Sequence, residues 1–247
     1  TPMQIAVIGA GVMGSGIAQL LAQSGHTVHC TDIADEAIEK ARAAVVSGRY
    51  GFEKAVSRGK LEQADADAAL ARLHFSTDFE AAVRSAELII ECVPEQLDLK
   101  IRTFRDLDRL APSDAILASN SSGFPLAALA AATDRPERVI VWHWASPPVV
   151  MKFAEIVVRE ETDAKVVETV RELAAGCGKN PIVVKDHPTA WGYVANRVYA
   201  AMIGEASRVV AEGIASHDEV NQLMVDCFGW PVGPFGMVKG AQTGWSE

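Results

Sequence analysis

Gly9, Gly11 and Gly14 follow the apolar run Ile5–Ile8 in the order G-x-G-x-x-G, a spacing that suits a phosphate-binding turn. Gly9 permits a tight turn, Gly11 lets the backbone approach a pyrophosphate, and Gly14 lets the next helix pack closely on the strand. That helix, starting near Met13, turns its N–H groups and the positive end of its dipole toward phosphate oxygens. Asp32 stands 23 residues after Gly9, at the end of a second apolar run. A carboxylate there accepts hydrogen bonds from an adenosine ribose. It also repels a 2′-phosphate, and no arginine stands beside it, so the pattern favours NAD over NADP. Glycines mark ordinary turns too; the strand before, the helix after and the acid at the second strand's end set this pattern apart.

Three further stretches carry chemistry-bearing side chains. They are Glu91-Cys92-Val93-Pro94-Glu95 with Lys100 beyond it, Ser119-Asn120-Ser121-Ser122, and His143-Trp144-Ala145-Ser146-Pro147-Pro148 leading to Glu155. Each follows a candidate strand at its C-terminal end, where open α/β sheets place ligands. Taken singly they have bland readings: a turn or cap serine, a structural histidine, a solvent-facing glutamate. Their joint occurrence makes them a candidate constellation.

The elements that must position these residues can be read from hydrophobic periodicity. Strands are expected at Gln4–Ile8, Thr27–Thr31, Leu88–Cys92, Ala115–Ala118 and Val139–His143. Helices are expected near Met13–Ser24, Asp35–Ser57, Gln63–Leu73, Gln96–Leu110 and Pro125–Ala131. Such alternation predicts a parallel sheet with helices on both faces. Phe153–Val158 and Ile182–Val184 read as further strands, with a helix near Asp163–Gly176 between them. The order beyond the fifth strand is left open. Past Lys185-Asp186-His187-Pro188 no further strand is indicated. Thr189–Glu212 reads as one long helix, His217–Phe228 as another, and Pro231–Pro234 as a turn. The expectation is an α/β, Rossmann-type doubly wound sheet over residues 1–186, followed by a small all-helical domain over 187–247.

Composition narrows the function classes. The 247 residues suffice for a sizeable core, and 49% hydrophobic with 22% charged residues is ordinary for a soluble globular protein. A net charge of −9 argues against nucleic acid or an anionic membrane as partner. No apolar run is long enough to span a bilayer, and the apolar start reads as a strand rather than a signal peptide. The four cysteines are widely spaced with no CxxC pair, which points to reduced thiols, a cytoplasmic setting and no metal site.

Together with Lys185-Asp186 and Asn196-Arg197, these stretches resemble the 3-hydroxyacyl-CoA dehydrogenase family from about Gln4 to Phe235. The ordered set Ser122, His143, Glu155, Asn196 is far more specific than the glycine loop. The resemblance implies that His143 is the general base that takes a hydroxyl proton while hydride leaves for NAD. Imidazole suits that task, with an unperturbed pKa of about 6.5. Glu155 is implied to orient His143, Ser122 to bond the reacting oxygen, and Asn196 to bond the substrate near a thioester. Glu95 and Lys100 match positions on the nicotinamide-ribose side. The family's active site lies in the cleft between its two domains.

Departures from the family pattern are visible. Ser146 stands where the family usually has an asparagine that contacts cofactor and pocket, and Gly123-Phe124 replaces Ser-Leu. About three extra residues separate Asp186 from Asn196, and the helical domain reads as shorter than the family norm. Lys54, with Arg58 and Lys60 in the same helical segment, offers a basic contact for the anionic tail of an acyl-CoA. The catalytic set also fits a small free hydroxy acid, as in the gulonate dehydrogenase and lambda-crystallin branch. A third possibility is a cofactor-binding protein with little turnover. Small residues along the long helix (Ala195, Ala200, Ala201, Gly204, Ala206) would let it pack closely, either on a second copy in a homodimer or within its own domain.

Overall fold

A run of eight strands supplies the frame of the site. In the computed structural model, which describes residues 1–243, they are β1 (Gln4–Ile8), β2 (Thr27–Thr31), β3 (Leu73–Ser76), β4 (Leu88–Glu91), β5 (Ile116–Ser119), β6 (Val139–Trp144), β7 (Phe153–Val158) and β8 (Asn180–Lys185). They form one sheet in the order β3-β2-β1-β4-β5-β6-β7-β8. The chain reverses its direction of travel across the sheet between β1 and β4. A Rossmann-like sheet opens its ligand crevice beyond the carboxyl ends of strands at such a switch point.

The helices of this part are α1 (Val12–Gln23), α2 (Asp35–Ser47), α3 (Phe52–Ser57), α4 (Gln63–Arg72), α5 (Phe79–Val83), α6 (Leu97–Leu110), α7 (Leu126–Ala130) and α8 (Ala164–Gly176). Central strands carry continuous apolar runs because helices cover both faces. Val7, Leu88, Ile89, Ile90 and Leu117 have no solvent exposure. Truncating such a side chain to alanine costs about 2–5 kcal/mol. Thr1–Ala190 form one compact unit, and the described residues from Trp191 onward form another.

Four local differences from the periodicity reading have physical causes. The helix expected over 35–57 is broken between α2 and α3. Gly48 and Gly51 lie at the break, where an added Cβ would come within 2.4 and 2.7 Å of the Ala44 carbonyl oxygen. The short strand β3 and helix α5 carry too few residues for a period to show, and Leu73, the last residue of the helix expected from Gln63, opens β3 instead. β7 runs antiparallel to β6, whereas every other neighbouring pair is parallel. The long helix expected from Thr189 begins only at Ala195, after an irregular stretch in which Gly192 adopts φ +86°.

The second unit contains α9 (Ala195–Ala211), α10 (His217–Phe228) and α11 (Pro234–Thr243). A capping box starts α10: the Glu219 N–H donates to Ser216 Oγ and the Ser216 N–H to the Glu219 carboxylate. Gly229, at φ +67°, ends the helix in the left-handed conformation that glycine adopts without a Cβ penalty. Asn221 then accepts a hydrogen bond from the Phe235 N–H at 2.9 Å, fixing the start of α11. Val198, Leu223 and Phe228 are exposed large apolar side chains on this unit. Among the described residues no helix is long and apolar enough to cross a membrane.

Candidate active site

The glycine turn joins β1 to α1. Gly9 adopts φ +104°, and a Cβ on it would lie 2.5 Å from the Cys92 carbonyl oxygen after β4. A Cβ on Gly14 would lie 1.7 Å from the Gly9 carbonyl oxygen, so helix and turn close on each other only with glycine there. Gly11 differs: nothing lies within 4 Å of its Cβ position. It caps the N-terminus of α1 with no side-chain partner for the helix amides. That leaves a cradle of backbone amides with no side chain over it, which fits a pyrophosphate group. Met13 is half-buried against the core behind the turn.

Asp32 closes the second strand. Its carboxylate accepts from the Ala10 N–H at 2.9 Å and the Ala34 N–H at 3.1 Å. Two backbone donors from the turn and the β2–α2 connection thus hold it beside the glycines. Lone pairs remain for a diol, so these residues fit a dinucleotide's ribose as well as its phosphates. Cys30, one strand position away from Thr31, has its thiol pushed up to about 12 by burial, and burial also raises Cys92 and Cys177. These thiols are protonated at neutral pH and are not nucleophiles.

The loops after β4 and β5 form one hydrogen-bonded patch. Glu91, at the end of β4, has no solvent exposure. It accepts from Lys100 Nζ at 2.7 Å, Ser119 Oγ at 2.7 Å and the Val93 N–H at 2.8 Å. Burial pushes the Glu91 carboxyl up, while the Lys100 ammonium and these three donors oppose the push. Lys100 is itself buried and also donates to the Val93 carbonyl, so its ammonium faces protein groups. Glu95 is exposed beside it, 3.6 Å from Lys100 Nζ. It accepts from Ser121 Oγ at 2.6 Å and from the Ser122 N–H at 3.4 Å. Ser121 and Ser122 thus share Glu95, while Ser119 bonds Glu91. Asn120 accepts from the Trp144 N–H at 2.9 Å and ties this loop to β6.

The histidine and its carboxylate come from the one antiparallel pair in the sheet. His143 on β6 stands directly opposite Glu155 on β7. Side chains alternate across a strand, so both point to the same face, away from Trp142 and Trp144. His143 Nδ1 lies 3.0 Å from Glu155 Oε1, and both residues are buried. A carboxylate accepts only, so Nδ1 carries the proton and Nε2 is the basic nitrogen of the neutral ring. Phe153 packs edge-on against the imidazole at 5.0 Å between ring centres. The arrangement is a base held in one tautomer by an acid that stabilises its protonated form.

The remaining candidates stand on other elements. Ser146 is exposed in the loop between β6 and β7; Lys54, Arg58 and Lys60 are exposed on or just beyond α3; Asn196 is half-buried on α9 of the second unit. Sequence reasoning singled out the stretches that contain Glu91, Ser119, Asn120 and Ser121 but gave none of these four a role. The signal present was a carboxylate ending an otherwise apolar strand, with a lysine nine residues on, in a helix that can turn it back.

Comparison with known proteins agrees with this architecture. Residues 4–187 match the family described as 3-hydroxyacyl-CoA dehydrogenase, NAD binding domain, and residues 192–246 match its C-terminal domain. A probable 3-hydroxybutyryl-CoA dehydrogenase of Bacillus subtilis is 36% identical over 95% of this chain and 79% of its own length. A 5-formyl-3-hydroxy-2-methylpyridine 4-carboxylate 5-dehydrogenase of Mesorhizobium japonicum is 35% identical over 93% of this chain and 70% of its own. The crystal structure of an (S)-3-hydroxybutyryl-CoA dehydrogenase from Ralstonia eutropha superposes with a TM-score of 0.88 at 35% identity, covering 94% of this chain and 80% of that one. With both domains of one oxidoreductase family matched in order, over a sheet that holds an imidazole–carboxylate pair and a glycine turn, the chain belongs to the 3-hydroxyacyl-CoA dehydrogenase family.

Proposed function

We propose that the protein oxidises an L-3-hydroxyacyl-CoA to its 3-oxo form, with NAD as hydride acceptor. His143 takes the hydroxyl proton at Nε2 as the C3–H bond gives up its hydrogen with the electron pair and the carbonyl forms. When bound, NAD supplies the nicotinamide ring that receives the hydride. Glu155 holds the imidazole and stabilises the imidazolium that results. Ser122 bonds the reacting oxygen, and Asn196 bonds the substrate beside the thioester. Gly9, Gly11, Met13 and Gly14 form the phosphate turn, Asp32 takes the adenosine ribose, and Glu95 and Ser146 serve the nicotinamide side. Lys100 acts through Glu91 and Glu95 by holding the loop that presents them. Lys54 meets the phosphates of the coenzyme A tail. The observation that carries the reading is the 3.0 Å contact between His143 and Glu155 across directly opposed strand positions.

The second unit's exposed apolar side chains support a homodimer, and four free cysteines agree with a cytoplasmic setting. The test is turnover over a panel of 3-hydroxyacyl-CoA thioesters and free hydroxy acids. Thioesters should be oxidised and free acids should not. His143→Gln should lower kcat by at least about 10²-fold, the usual contribution of a positioned base, while NADH still binds. Glu155→Gln should lower kcat with little change in substrate KM, because the ring loses its orienting charge. Full activity of His143→Gln removes the histidine from the mechanism; selective turnover of free acids replaces the thioester.

A further inference from the structure

Lys179, the residue before β8, has an ammonium that the mechanism does not use. The side chain is buried, at 6% exposure. Its Nζ donates to the Pro148 and Met151 carbonyls, each at 2.5 Å, and lies 5.3 Å from the centre of the Trp144 ring. Among the described residues no carboxylate is paired with it. Burying an ammonium without a counter-charge is costly, and an apolar side chain would fill the space more cheaply. What the ammonium offers and an apolar side chain does not is a set of convergent donors. The loop it meets, residues 145–151, contains Pro147 and Pro148, which have no N–H to donate, so two of its carbonyls are held from outside.

The same loop also meets α1. A Cβ on Gly16 would lie 2.5 Å from Pro148 Cγ and 3.7 Å from Val149 Cγ2. The loop is thus held by two elements, the lysine before β8 and the helix that starts at the phosphate-binding glycines. It joins His143 on β6 to Glu155 on β7 and carries Ser146. We propose that Lys179 and Gly16 are positioning residues that clamp the 145–151 loop and so fix the nicotinamide end of the cofactor site relative to its pyrophosphate end. This rests on NAD as the bound dinucleotide.

The clamp is tested by titrating the folded, full chain with NADH and with ADP-ribose, which has the same pyrophosphate end but no nicotinamide. In Lys179→Met the NADH dissociation constant should rise about tenfold, the size of a lost charge-assisted contact, and that for ADP-ribose should stay within about twofold. Gly16→Ala, which pushes on the loop through the Pro148 ring with the lysine intact, should give the same selective loss. It carries the test alone if circular dichroism shows Lys179→Met to be unfolded. Equal weakening of both ligands, or no change in the folded variants, overturns the clamp, since a merely structural lysine would lower the melting temperature without separating the two ligands. Wild-type protein that binds ADP-ribose but not NADH overturns the clamp together with the cofactor reading, and is told apart because it needs no substitution.

Discussion

At the residue scale, what distinguishes the site is that two of its ion pairs, Glu91 with Lys100 and His143 with Glu155, are buried. Glu155 without His143 would be a buried carboxylate with a lost partner, an arrangement that typically costs 3–5 kcal/mol, so variants of this pair must be checked for folding before activity is read. The types of these residues were legible in the chain, but their contact was not. Twelve residues separate them, and only the register of two strands decides that they face each other. A lone histidine elsewhere behaves as an ordinary core group. Burial above all holds His26 below the usual histidine range, and its Nδ1 accepts from the Met3 N–H at 3.1 Å at the entry to β1. Folding favours the neutral ring, so below about pH 6.5 the unfolded chain binds the proton first and stability falls with pH. The melting temperature should therefore decline on acidification from neutral pH toward about 5, and His26→Gln should flatten that part of the profile. An unchanged slope in the variant would assign the acid sensitivity to other groups.

At the element scale, the short helix α7 depends on a residue far away in the chain. Pro125 at its N-cap offers no side-chain acceptor. The Leu126 and Ala127 N–H groups donate instead to the two carboxylate oxygens of Asp186, at 2.9 and 3.0 Å, just past the end of β8. Arg159 Nη1 holds the same carboxylate at 3.2 Å. This is a cap supplied from sixty residues away, and it anchors the helix that follows Ser122. Asp186→Ala should cost about 1–2 kcal/mol, the upper range for a lost N-cap, and should remove hydrogen-exchange protection at Leu126 and Ala127 before the rest of the sheet opens. Uniform loss of protection would mean that Asp186 stabilises the whole sheet instead. Periodicity found α1, α6 and the central strands because each is long enough to repeat its pattern. It missed β3 and α5, which are too short for that. It also ran through Gly48 and Gly51, where the obstacle is a contact with the preceding turn and not a poor propensity.

At the scale of the whole molecule the strand order was left open, whereas the mainly parallel sheet and the helical second unit followed from the alternation of elements and its end near Asp186. The antiparallel direction of β7 did not. Residues 145–152 are too few for the crossover that parallel neighbours need, about a dozen residues, so the signal lay in the length of the connection, which hydrophobic periodicity does not read. Association is the matching question for the second unit. Light scattering should give twice the chain mass, and Leu223→Asp should shift it toward one, since a charge on an apolar interface is poorly tolerated. A monomeric wild-type chain would dismiss the homodimer. The hairpin has one more implication, for how such a chain can diverge. Because neighbouring side chains in a strand face opposite ways, inserting one residue into β7 ahead of Glu155 would swing its carboxylate to the tryptophan side of the sheet. Spelling within β6 and β7 can therefore drift, but their length cannot, and indels should be absent from both strands in any active descendant.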